Sequence, residues 1–384
     1  NEIASLSENH LSGDFIFKLY DTYGFPVDMT SDIARQHNLE TDLEGFDKAM
    51  ENQKSMARKA SQFSHKDSIE LEHKLKSLFL GYEQGEADSI ITGVFMEGSK
   101  DILETGQMGQ IILEKTPFYA ESGGQVGDTG TISSPGGIFE VIDTQISGEA
   151  FIHIGSMAKG SIQLNEKVKA SINPIKRESI TKNHTGTHML HAALMKVLGD
   201  HVEQRGSLVD DEKMRFDFSH HQAVSNDEIR NIETLVNEKI EEKIDVETSI
   251  MKHSEAMESG AMALFGEKYG ESVRVLDVGD FSKELCGGTH VKNTNEITLF
   301  KVTSESSISS GTRRIEAITG DKALKWAEET EFLVETLTEI LQTRREDVEV
   351  KVRALIDGNK KMQHEIKDLK AKLAGAHTED TTVE

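Results

Sequence analysis

The sequence predicts an α+β multidomain protein: an N-terminal helical segment, a small β-barrel, an α+β domain and a coiled-coil-like C-terminal helix. Three observations carry this. All four prolines lie at or before Pro174. Short β-branched runs separated by glycine fill residues 90–172, and residues 348–373 repeat apolar side chains by four and three. A chain of 384 residues exceeds one compact core and divides into two or three domains.

Residues 1–80 read as helical. Phe15, Leu19 and Tyr20 keep helical spacing until Tyr23-Gly24-Phe25-Pro26 breaks the run; a second helix starts near Ser31, and residues 46–60 continue the pattern. Residues 90–174 form the barrel, with strands around Ile90-Ile91-Thr92, Ile111-Ile112-Leu113, residues 138–142 and residues 151–154. Between two of these lies Glu121-Ser122-Gly123-Gly124-Gln125-Val126-Gly127-Asp128. It is either a turn-rich connection needing positive φ or a loop that brings backbone close to a ligand.

Residues 177–320 mix helices and strands. Ser225-Asn226-Asp227-Glu228 is a capping box, and Ile229, Ile232, Leu235, Val236 and Ile240 form the stripe of the helix it starts. Strands are expected at 246–251, 273–278, 297–302 and 314–318. The segment 322–375 is a helical linker whose seam is Val348, Val352, Leu355, Asn359, Met362, Ile366, Leu369 and Leu373. That seam fits self-association or a single helix packed on its own domain. Residues 377–384 are polar and expected to be disordered.

Composition narrows the class. The chain is 36% hydrophobic and 29% charged, and no apolar run approaches the roughly 20 residues that span a bilayer, so no membrane association is expected. It begins at Asn1 rather than Met and reads as a fragment with material missing upstream. One cysteine cannot form an internal disulfide, which fits a cytoplasmic location. A formal charge of −24 argues against a surface that coats nucleic acid broadly. It leaves room for a local basic stretch: Lys159, Lys167, Lys169, Lys176, Arg177 and Lys182 face only Glu166 and Glu178.

Two strings carry the chemistry: His184-Thr185-Gly186-Thr187-His188 and Cys286-Gly287-Gly288-Thr289-His290. Four residues apart on a helix, His184 and His188 share a face. Two glycines make the second string a tight loop that lets thiolate and imidazole converge. Three imidazoles and one thiolate fill a tetrahedral Zn2+ site. About a hundred residues separate the pairs, so this is no compact finger. Thr185 stands where a zinc peptidase helix needs glutamate, so that base is missing. His191 is a supporting or surface residue, while His201, His220 and His221 read as solvated.

With these blocks, residues 17–28, 119–128, 184–191, 215–220, 261–269 and 284–290 resemble the alanyl-tRNA synthetase family in order and spacing. The resemblance implies that residues 1–80 are the end of a helical tRNA-recognition segment. It makes 177–320 an editing domain and places the ATP- and alanine-binding aminoacylation site outside this chain. It implies His184, His188, Cys286 and His290 as zinc ligands, Gln204 and then Thr187 as pocket residues, and Asp21 as a reader of the acceptor stem. Arg313 and Arg314 are candidate phosphate contacts or plain strand-surface charges. The implied partner is tRNA(Ala) with a mischarged 3′ end. The implied reaction is hydrolysis of its seryl or glycyl ester, with zinc either catalytic or structural. A different class of reading is a non-catalytic tRNA-binding or assembly module with structural zinc. Gly186 departs from the alanine more usual there, at about 1 kcal/mol of helix propensity.

Overall fold

The computed structural model describes residues 75–96, 101–263 and 270–379, with scattered positions between 10 and 46. It divides into two compact units, residues 1–76 with 147–150, and residues 77–146 with 151–384.

In the first unit, β1 (His10–Leu11) pairs in parallel with β2 (Glu40–Thr41), and Leu11, Ile16 and Ala34 are buried together. Among its described residues, 13, 15, 16, 30, 34, 43, 45 and 46 are helical. Leu19, Tyr20, residues 23–26, Ser31 and residues 47–60 lie outside the described residues, as does Asp21. The expected helical texture also ends early: β3 (Leu78–Phe79) is a strand paired in parallel with β7 (Lys115–Thr116).

The barrel forms as the β-branched runs predict. Its strands are β4 (Glu86–Phe95), β5 (Ile102–Glu104), β6 (Met108–Leu113), β8 (Gly130–Ser133), β9 (Gly137–Ser147), β10 (Ala150–Gln163) and β11 (Lys167–Ile172). Six of them run β10-β6-β4-β11-β8-β9, and pairing of β9 with β10 closes the ring; β5 lies outside on β10. Closure leaves no free edge among the six. Side chains alternate along β9, so Phe139 and Val141 point inward to join Ile91, Ile111, Leu113 and Ile132 in the core. His153 is also fully buried there. Its Nδ1 lies 2.9 Å from the Ile111 carbonyl and its Nε2 2.7 Å from Thr116 Oγ1. A carbonyl only accepts, so Nδ1 carries the proton and Nε2 accepts from the threonine.

The remaining chain packs helices on a second sheet. Helix α1 (Pro174–Leu198) starts on proline, with Asn173 capping the amides of Ile175 and Lys176. Helix α2 (Asn226–Glu241) keeps the expected capping box and buries Ile232, Val236 and Ile240. Both pack on a four-stranded sheet, β12-β13-β18-β17: β12 (Gln204–Val209), β13 (Met214–Ser219), β17 (Phe300–Ser309) and β18 (Thr312–Thr319). A three-stranded sheet joins β14 (Glu247–Lys252), β15 (Ser272–Val278) and β16 (Ser282–Leu285), with the short helix α3 (His253–Glu258) after β14.

The strand expected at 297–302 starts later and runs further, as Phe300–Ser309. Ile297 closes a 3-10 turn, Thr298 turns the chain at φ 65°, and the strand begins at Phe300. Helix α4 (Gly320–Leu341) and helix α5 (Val348–Glu379) end the described chain. Residues 377–379 are helical rather than disordered. Val352, Leu355, Met362, Ile366 and Leu369 are all exposed, while Val348 at the start of the seam is half-buried. Among the described residues no helix is long and apolar enough to cross a membrane.

Candidate metal centre

Helix α1 runs buried from Asn183 to Leu194, polar residues included. Its His184 and His188 rings stack with centroids 5.2 Å apart, as the four-residue spacing requires. Strand β16 delivers the second string: Cys286 follows Leu285, and the loop turns back to aim His290 at the helix. The two strings meet. One donor atom from each of His184, His188, Cys286 and His290 lies within 4.8 Å of all the others. His184 Nε2 is 3.5 Å and His290 Nε2 3.2 Å from Cys286 Sγ. Tetrahedral zinc with ordinary bond lengths sets nitrogen and sulfur ligands ~3.6 Å apart.

The rings share a pattern. His184 Nδ1 lies 2.7 Å from Gln125 Oε1, His188 Nδ1 2.7 Å from Glu284 Oε2, and His290 Nδ1 3.2 Å from Thr185 Oγ1. Each outer nitrogen is thus occupied, which turns each Nε2 inward. His188 Nε2 is buried and has no hydrogen-bond partner. The charges agree with a cation: burial pushes Glu284 up, yet His188 and His191 hold it down at about 2. Burial likewise raises the Cys286 thiol, but His184, His290 and His188 together bring it well below its ordinary value. Burial lowers His188, and the carboxylate and thiolate nevertheless draw it up to about 10; burial takes His290 down to about 3. A thiolate beside the unpartnered His188 Nε2, with the Glu284 carboxylate behind the same ring on Nδ1, fits a soft divalent ion.

Sequence reasoning gave no orienting role to Gln125, Glu284 or Thr185. Gln125, fully buried in the glycine loop, accepts from the Thr289 amide at 2.9 Å and donates to Thr289 Oγ1 at 2.9 Å besides meeting His184. The loop is therefore both a positive-φ turn, at Gly123 (58°) and Gly124 (83°), and a wall of the site. Glu284 meets His191 Nδ1 at 3.0 Å as well as His188, which makes His191 a buried supporting residue. Gly288 is small for a reason: a Cβ there would lie 2.1 Å from His184 Cε1. Gly186 admits Met214 and Thr319, whose nearest atoms would stand 2.9 and 3.1 Å from an added Cβ.

A cavity of about 260 Å³ opens beside the quartet. His184, His188 and Cys286 line it with Gln204, Thr187, Ser122 and Gly123. Gln204 Nε2 reaches Ser207 Oγ at 3.2 Å. The Thr187 hydroxyl donates to the Asn183 carbonyl, the ordinary habit of a helix threonine. Arg313 and Arg314 do not line the cavity: Glu305 grips Arg313 through two contacts of 2.6 Å, and Asp217 grips Arg314 at 2.7 and 2.8 Å. Of the three histidines expected in solvent, His220 is buried and stacks on His201, with its Nδ1 2.8 Å from His201 Nε2. The expected basic stretch is partly neutralised: Arg177 is held by Asp128, and Lys182 and Lys169 pair with Glu178 and Glu86.

Comparison with known proteins decides the relationship. Residues 1–176 match the family of class II (A) tRNA synthetases, and residues 273–316 match the threonyl and alanyl tRNA synthetase second additional domain. The alanine–tRNA ligase of Methylococcus capsulatus is 46% identical over 97% of this chain and 43% of the relative. Those of Nitrosococcus oceani and Idiomarina loihiensis are both 45% identical, over 100% and 97% of the chain and 44% and 43% of the relatives. This chain is similar to alanine–tRNA ligases along nearly its whole length. It spans less than half the length of the curated alanine–tRNA ligases it matches. The second additional domain match covers β15, β16 and the cysteine string, so one side of the quartet lies inside it.

Proposed function

We propose that this chain is the editing region of an alanine–tRNA ligase and that it hydrolyses the ester of Ser-tRNA(Ala) and Gly-tRNA(Ala) at a zinc site. In this reading the full-length protein attaches alanine to tRNA(Ala) with ATP, in the cytoplasm, through parts outside this chain. The observation that carries the proposal is the convergence of the quartet with Gln204 and Thr187 on one cavity.

His184, His188, Cys286 and His290 hold the ion, and Gln125, Glu284 and Thr185 fix the ring orientations. Zinc supplies Lewis acidity, or an anchor for the aminoacyl group. The chain's own contribution is selection. A synthetic pocket built for alanine rejects near-isosteres by only about 1–3 kcal/mol per methylene or hydroxyl. In the cavity Gln204 offers a polar side chain to a seryl hydroxyl, and Thr187 closes the wall beneath it. An alanyl ester has no hydroxyl to offer that amide, whose Nε2 then keeps only Ser207 Oγ.

Deacylation of Ser-tRNA(Ala) by the purified chain tests this. The wild type turns over, and Cys286→Ala loses both zinc and turnover; an unchanged rate in a zinc-free Cys286→Ala variant refutes the metal-centred reading. Gln204→His shifts the ratio of seryl to alanyl hydrolysis, and an unchanged ratio removes Gln204 from selection. One observation favours the second reading, a tRNA-binding or assembly module with structural zinc: four protein donors complete a tetrahedron. Zinc-loaded protein without turnover establishes it. The exposed seam of α5 supports self-association, which sedimentation at several concentrations detects; a concentration-independent monomer rules it out.

A further inference from the structure

Among the residues lining the cavity, one is an aspartate, glutamate, lysine or arginine: Arg274 on β15. In a chain of formal charge −24, the cavity wall thus carries a cation and no carboxylate among its lining residues. Its environment is built. The guanidinium carbon lies 4.2 Å above the Tyr82 ring centre, while Nη1 donates to the Cys286 carbonyl at 3.1 Å and the Gly288 carbonyl at 2.8 Å. Tyr82 completes the frame by donating from its hydroxyl to the Gly287 carbonyl at 2.6 Å. Among the described residues no carboxylate pairs with Arg274, in contrast to Arg177, Arg313 and Arg314, each held by an acid. The contacts fix the plane of the guanidinium by one nitrogen and one face. Its Nε and Nη2 edge has no partner among the described residues.

A stacked, immobilised guanidinium with an open edge is suited to fork onto an anionic oxygen pair. Resting on the proposed editing function, the substrate class narrows the anion. An aminoacyl ester has no free carboxylate, so the negative oxygens reaching this cavity belong to the RNA strand. We propose that Arg274 is a binding residue for a phosphodiester near the 3′ end of the RNA, with Tyr82 as its platform. Because Arg274 also ties the carbonyls of the cysteine loop, the same contact couples strand placement to the position of Cys286.

The test uses uncharged tRNA(Ala) and the full 384-residue chain, so it stands whether or not the chain deacylates. Binding is measured from 50 to 300 mM salt for the wild type, Arg274→Gln and Arg274→Lys, with zinc content determined for each. Losing one phosphate contact on a single strand lowers the slope of log affinity against log salt by about 0.7. At low salt affinity falls roughly ten- to a hundredfold, the range of a hydrogen bond to a charged group. Arg274→Gln shows both losses at unchanged zinc content, and Arg274→Lys retains most of the slope. Equal slopes for Arg274→Gln and wild type overturn the proposal, as does a wild type whose tRNA binding is independent of salt. Should Arg274→Gln release zinc or fail to fold, Tyr82→Ala decides. It leaves the charge in place, so weaker binding with an unchanged slope supports the platform, and unaltered binding overturns it.

Discussion

Gly288→Ala puts one methyl where the structure has no room. The added Cβ would sit 2.1 Å from His184 Cε1, 2.5 Å from its Nδ1 and 2.9 Å from Gln125 Oε1. Carbon atoms rest at about 3.5–4.0 Å, so the imidazole must retreat by roughly 1.5 Å. Metal–ligand distances tolerate only about 0.2 Å, and His184 therefore leaves the quartet. The displaced ring also breaks the 2.7 Å contact to Gln125, which leaves that amide held by Thr289 alone. Disturbing a supporting partner alone costs about 10–100-fold in metal affinity, so displacing the ligand as well lowers zinc affinity by more than about a hundredfold. Gly287→Ala is the control: nothing lies within 4 Å of its added Cβ, and affinity stays within about threefold. Competition against a chromophoric chelator measures both. Equal zinc affinity in the two variants refutes the close approach of His184 to this loop, and with it the geometry of the centre.

Three further outcomes follow from the packing. His153 is neutral in the barrel because burial lowers it to about 4. The unfolded chain binds that proton near 6.5, so stability present above pH 6.5 is lost as pH falls towards 4, by roughly 3 kcal/mol in all. His153→Gln flattens the denaturation midpoint over that window; parallel pH curves contradict the assignment. Asp128→Asn leaves Arg177 with a buried charge and no carboxylate, since both side chains are nearly inaccessible; unfolding free energy falls by about 3–5 kcal/mol, and a loss under about 1 kcal/mol in urea titration contradicts it. Gln125→Ala removes a side chain that touches both His184 and Thr289, and lowers zinc affinity about 10–100-fold; unaltered affinity shows that the helix and loop hold their own alignment.

Much of the fold was legible because local rules and burial agreed. The barrel strands show as Ile-rich runs cut by glycine, and Ser225 with Glu228 marks the start of α2. The quartet was legible because spacing of four on a helix, and of four across two glycines, is local geometry. What failed is non-local. Gln125 reaches His184 across 59 positions and Glu284 reaches His188 across 96; no local pattern distinguishes them from a turn amide and a strand carboxylate. His220 looked solvated because its partner, His201, sits 19 positions away. Strands β12 and β13 were overlooked since Arg205, Arg215 and Asp217 interrupt their apolar pattern, although the alternation Met214, Phe216, Phe218 is visible in retrospect. The strand near 297 was started too early because apolar character gives no sign that Thr298 adopts φ 65°, and stopped too early because residues 303–307 are polar. Arg313 and Arg314 are charges whose acids, Glu305 and Asp217, only the sheet register brings alongside.

X-ray absorption at the zinc edge, on wild-type protein reconstituted with one equivalent, reads the ligand set directly. We expect one sulfur at about 2.3 Å and three nitrogens at about 2.0–2.1 Å, with the sulfur shell gone in Cys286→Ala. A spectrum of nitrogen and oxygen alone, or a chain that takes up no zinc, contradicts the claim that the two strings grip one ion.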